Sequence, residues 1–115
     1  KATAPWMGED APNAFSIAVS HQDQVVSPPP GAQVIAANDF TPHGALSYAQ
    51  GPAMSFQGHP EFCDGFSAAL YEVRLNNPLS AEEVEAAKAS LTAPEDNDLV
   101  GQWMARFYRD NARLP

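Results

Sequence analysis

Up to residue 63 the apolar residues of this chain come in short runs broken by Pro and Gly, and from Asp64 onward they recur at helical spacing. A single change of period calls for strands with tight connections first and helices after them. In the first part, residues 15–20, 33–37, 45–49 and 53–57 are predicted strands. Pro28, Pro29, Pro30 and Gly31 force a turn between the first two, because proline fixes φ and donates no hydrogen bond. Gly51 and Pro52 punctuate the last two. Residues 1–13 hold three Gly or Pro breakers and read as loop. Within them Trp6 reads as an aromatic covering the core edge.

Three helices are predicted after residue 63. Asp64 is the candidate cap of the first, with Phe66, Ala69, Leu70 and Val73 on one face and Pro78 beyond its end. Ser80 and Glu83 form a capping box at the start of the second, and Leu79 and Val84 occupy hydrophobic-staple positions. Its apolar stripe is Val84, Ala87 and Leu91. The third follows the acids Asp96 and Asp98, with Leu99, Val100, Trp103, Met104 and Phe107 inward. Arg106, Arg109 and Arg113 crowd its end, where cations suit the helix dipole. These Met and aromatic stripes read as core.

The chain has 115 residues, 44% of them hydrophobic and 17% charged, which fits one globular domain. Its net charge of −8, from 14 acids against 6 bases, argues against a basic face for nucleic acid or for an anionic membrane. No apolar run approaches the length of a membrane span. Cys63 is the single cysteine, so an internal disulfide is excluded and a reducing, cytoplasmic setting is expected. The first residue is Lys1 rather than Met, which reads as a start inside a longer product or after a removed tag.

Two stretches carry candidate chemistry. The first is Met54-Ser55-Phe56-Gln57-Gly58-His59-Pro60-Glu61-Phe62, in which a strand runs into Gly58 and a histidine follows at its carboxyl end. Gly58 permits close approach, and Pro60 turns His59 away from helical geometry. With the backbone extended there, His59 and Glu61 point the same way, and the carboxylate can fix the imidazole tautomer. That is the base-plus-orienter part of a nucleophilic triad. A strand-end histidine followed by a helix-capping acid is the plainer reading of the tripeptide alone. The second stretch is Ser20-His21-Gln22-Asp23-Gln24-Val25, after the first strand. It suits recognition of a substrate amide, and equally an ordinary turn in which Ser and Asp bond their own backbone. A metal site from His21, Asp23, His43, His59 and Glu61 ranks low, since no tight ligand spacing supports it. No metal or other cofactor is expected. His43 reads as an exposed turn histidine, and Cys63 as an incidental thiol at a helix start.

Taken together, Ser-His-Gln-Asp-Gln-Val (20–25), Pro-Pro-Gly-Ala (29–32) and Gln-Gly-His-Pro-Glu-Phe (57–62) resemble, in order and spacing, the second half of class I glutamine amidotransferase domains. The amidotransferase part of GMP synthetase and its stand-alone relatives look closest. The resemblance covers roughly residues 3–75. It implies an α/β fold, part of a flavodoxin-like doubly wound sheet, with residues 1–62 supplying strands and loops and 63–115 the helices. It further implies hydrolysis of glutamine to glutamate and ammonia by a Cys-His-Glu triad, with ammonia passed to a synthetase domain or subunit. By the resemblance His59 is the base, Glu61 its orienter, and Ser20 and His21 lie beside the glutamine. The family's nucleophile sits on a Gly-x-Cys-x-Gly elbow, and no such motif occurs in these residues; Cys63 does not match it. The chain therefore reads as the carboxyl-terminal half of such a domain, inactive alone. Two alternatives stay open. One is a γ-glutamyl peptidase of the same fold. The other is a non-catalytic fragment that binds partners or self-associates through a sheet edge left unpaired.

Overall fold

The computed structural model describes residues 3–49 and 51–112. The protein is α/β: a three-stranded antiparallel sheet and three α-helices. Strands β1 (Ala32–Ala36), β2 (Ala45–Tyr48) and β3 (Ala53–Phe56) form a meander in the order β1-β2-β3. A bulge between Val34 and Ala36 breaks the β1–β2 register and leaves Ile35 buried. Beyond β3 the pairing reaches one step further, as Gln57 N–H donates to Gly44 O at 2.7 Å.

Alternation along β2 sends Ala45 and Leu46 to opposite faces, yet both are fully buried. The middle strand is thus covered on both sides. On the Ala45 face the cover comes from a short 3-10 helix, Pro5–Met7, and from α3 (Asn97–Asn111). Trp6 is buried, not at an open edge; its ring lies 6.2 Å from Phe56, 6.4 Å from Trp103 and 6.0 Å from Phe107. Val100 and Trp103 face inward, with Leu99, Met104 and Phe107 packed beside them, as the helical spacing predicts. Arg113 lies outside the described residues.

Helices α1 (Asp64–Val73) and α2 (Ala81–Ser90) pack on each other. The α2 capping box forms as expected: Glu83 N–H donates to Ser80 Oγ, and Ser80 N–H donates back to Glu83 Oε1. The Ser80 N–H, and after it the Ser80 side chain, hold the Glu83 carboxyl below its ordinary pKa.

Three local expectations are corrected. Residues 15–20 form no strand; they make a single bridge, Ala18 opposite His59. Cys63, not Asp64, caps α1, its Sγ accepting from Phe66 N–H at 3.5 Å. The buried positions of α1 are Ser67 and Tyr71, whereas Phe66 and Val73 are 52% and 73% exposed. Periodicity located the helix, but a tertiary partner set its rotation: the Tyr71 hydroxyl donates to Val19 O at 2.8 Å. Burial pushes the Tyr71 pKa up from its ordinary value.

The molecule measures 50 × 30 × 28 Å with a radius of gyration of 15.6 Å. A compact chain of this length would have a radius of about 13 Å. The described residues are therefore elongated, with one aromatic core at the sheet.

Candidate active site

His59 lies three residues beyond the end of β3, and a turn holds it there rather than an extended strand. Phe62 N–H donates to His59 O at 3.1 Å, closing His59-Pro60-Glu61-Phe62 into a four-residue turn with Pro60 second, where its fixed φ fits. The two candidate side chains do meet: His59 Nδ1 is 2.6 Å from Glu61 Oε1. The extended-backbone reasoning gave the right neighbours by the wrong geometry, since a turn folds the third residue back onto the first.

Tethers fix this turn to the rest of the chain. His59 N–H donates to Ala18 O at 2.7 Å, and Asn97 Nδ2 at the start of α3 donates to Phe62 O at 2.8 Å. The 15–20 segment is itself clipped to α3, because Ser16 N–H donates to the Asp96 carboxylate at 2.7 Å and Asp96 N–H donates to Ser16 O. Gly58 makes the bridge possible. A Cβ at that position would lie 2.6 Å from Ile17 Cδ1 and 3.2 Å from Ala18 O.

The hydrogen bond from His59 holds the Glu61 carboxyl below its ordinary pKa, and slight burial opposes it. An ionised carboxylate only accepts, so Nδ1 is the donor, and in the neutral ring Nε2 then presents a free lone pair. The pair is open to solvent, with 36% of the His59 side chain and 62% of the Glu61 side chain exposed. A group set this way can take a proton at Nε2 while Glu61 steadies the resulting cation.

Ser20 and His21 fall in the loop that follows the Ala18–His59 bridge. His21 Nδ1 donates to Asp23 O at 3.0 Å, and Gln57 Nε2 donates to the same carbonyl at 3.3 Å. Gln57, two residues before His59, therefore connects this loop to the dyad. No hydrogen bond joins Ser20 or His21 directly to His59 or Glu61 among the described residues. His43 Nδ1 is turned onto Val25 O, so it is half-buried and tied down rather than exposed. No three His, Cys, Asp or Glu side chains converge as a ligand set among the described residues. Cys63 is exposed and free. No helix of the described residues is long and apolar enough to cross a membrane.

Sequence reasoning missed Phe62 and Asn97. The Phe62 ring stacks flat on the His59 imidazole, with centroids 4.2 Å apart and planes 5° from parallel. Pro60 as the second turn residue, which would bring residues 59 and 62 together, was the available signal. No local signal marks Asn97, which reaches the turn only through the fold.

A stretch of 43 residues, 37% of the chain, is 44% identical to glutamine-hydrolyzing GMP synthase from two strains of Thermus thermophilus. The match spans 8% of those enzymes' length. No family model matches the chain, and no solved structure matches it. The chain thus has a local similarity to a glutamine-hydrolysing enzyme, confined to that segment.

Proposed function

We propose that this chain supplies the histidine and glutamate of a Cys-His-Glu triad in a class I glutamine amidotransferase domain. The observation that carries the reading is the 2.6 Å pair of His59 Nδ1 and Glu61 Oε1 within Gln57-Gly58-His59-Pro60-Glu61. The local similarity to glutamine-hydrolyzing GMP synthase supports glutamine over other γ-glutamyl substrates. On this reading His59 Nε2 takes the proton of a cysteine thiol, which attacks the glutamine side-chain amide. The same nitrogen then gives the proton to the departing ammonia, and water releases glutamate from the thioester. Glu61 stays ionised throughout and holds the ring. Ser20 and His21 lie beside the glutamine. The nucleophile comes from a Gly-x-Cys-x-Gly elbow on a preceding half-domain, and the antiparallel meander is one part of a flavodoxin-like doubly wound sheet. The ammonia acceptor is a synthetase domain or subunit, in the cytoplasm.

Glutamate release is the assay. The 115-residue chain alone is expected to give no turnover above background. Joined to a segment bearing the Gly-x-Cys-x-Gly elbow, it is expected to hydrolyse glutamine and to lose several orders of magnitude in rate with His59→Ala, since triad members act as a unit. Turnover by the chain alone that disappears in Cys63→Ser would move the nucleophile to Cys63. Activity that survives His59→Ala would remove His59 from the mechanism.

A further inference from the structure

The base-and-orienter pair has a third participant. One face of the His59 imidazole is covered by the Phe62 ring at 4.2 Å and 5°. Phe62 is backed by Phe66, at 4.7 Å, and its carbonyl is anchored by Asn97. The Glu61 hydrogen bond fixes one edge of the imidazole but leaves the ring free to swing out of plane into solvent, to which it is 36% exposed. A flat aromatic stack on one face removes that freedom.

We propose that Phe62 is a positioning residue: its stack on His59 locks the imidazole plane so that Nδ1–H stays on Glu61 and Nε2 stays aimed outward as the free base. This rests on the triad reading above. Phe66, half-exposed at the first turn of α1, acts as the backstop that keeps Phe62 against the ring. Without the stack the ring samples orientations that miss Glu61. In those orientations nothing selects the Nδ1–H form, and the neutral imidazole divides between its two tautomers.

The test is long-range proton–nitrogen correlation spectroscopy of the ¹⁵N-labelled chain at about pH 9, where imidazole is neutral. The unsubstituted protein is expected to show His59 with Nδ1 protonated and Nε2 bare. Phe62→Leu keeps apolar bulk but cannot stack. It is expected to raise the minor tautomer of His59 by about 2- to 10-fold, the population equivalent of one lost aromatic pair. Phe62→Tyr keeps the stack and is expected to match the unsubstituted protein. Phe66→Leu is expected to shift His59 the same way by less, and it serves as the test if Phe62→Leu does not fold. An unchanged His59 pattern in Phe62→Leu, or in Phe66→Leu where that variant stands in, overturns the proposal. Equal loss in Phe62→Tyr also overturns it. Finding His59 protonated on Nε2 in the unsubstituted protein sinks the triad reading instead, so the two failures are distinguishable.

Discussion

Substituting Gly58 by alanine probes how the fold holds the dyad. Gly58 is not at positive φ, so alanine brings no backbone strain and the effect is steric. The new Cβ would lie 2.6 Å from Ile17 Cδ1, 2.8 Å from Ile17 Cγ1 and 3.2 Å from Ala18 O. The Ile17 methyl can swing away, but Cγ1 sits near its backbone. Ala18 O is also the acceptor that holds His59 N–H at 2.7 Å, so it cannot retreat without lengthening that bond. Overpacking of this kind costs about 1–3 kcal/mol. The smaller entropy of the unfolded alanine chain offsets about 0.4–1 kcal/mol of it, leaving a net loss centred on about 1.3 kcal/mol. Urea unfolding measures that loss, and exchange of the His59 amide shows where it falls. The expected result is a lower midpoint with unchanged slope, and faster exchange at His59 than global unfolding explains. Ile17→Ala in the same chain removes both close carbon contacts, so the double substitution is expected to be less destabilised than the two single effects combined. Strict additivity, or Gly58→Ala with undiminished stability and His59 protection, would refute the argument that this contact sets the dyad.

Four further outcomes are expected. Ser80→Ala removes the hydroxyl that caps α2 and should cost about 1 kcal/mol in a urea titration. Trp103→Ala empties a site that is 1% exposed and should cost about 3–5 kcal/mol, read as a collapse of the thermal transition. Glu61 titrates below its ordinary value in the folded state, so its contribution is present above the unfolded pKa and is lost as pH falls through the folded one. Because the pair is exposed, that contribution should be no more than about 0.2–1 kcal/mol, and Glu61→Gln should flatten the pH dependence of stability below the ordinary carboxylate range. Finally, neither outer edge of the meander pairs with another strand among the described residues, so the chain should self-associate in light scattering; a monomer at high concentration with a cooperative melt would contradict this.

Local signals served best where the structure is locally determined. The capping box at Ser80 and Glu83 needs only residues within one turn, and it forms as written. The meander strands fall within a residue of their expected bounds because Gly and Pro mark their ends. The failures share a cause. Residues 15–20 alternate like a strand, yet bond across to His59 and Asp96, partners that lie far along the chain. The apolar spacing of α1 suggested Phe66 and Val73 as its inner face, whereas the Tyr71 hydroxyl found Val19 and turned the helix. At the site, His59 and Glu61 were legible as a pair but their backbone was not, because Pro60 serves an extended strand and a turn equally well. The hydrogen bond at the end of the turn, with Asn97 behind it, decides between the two.

The distribution of anchoring around the dyad is itself informative. An exposed His–Glu pair contributes little to stability, so the fold does not depend on it. Yet the turn that carries it receives bonds from Ala18 and Asn97, while its ring is backed by Phe62 and Phe66. Each anchor comes from a different element: the 15–20 segment, the start of α3 and the first turn of α1. Three elements converging on four residues is more constraint than a surface turn needs for its own conformation, which Pro60 and one backbone hydrogen bond already supply. On the proposed triad reading, the added constraint fixes the direction of His59 Nε2, as a group that must meet a reacting atom requires.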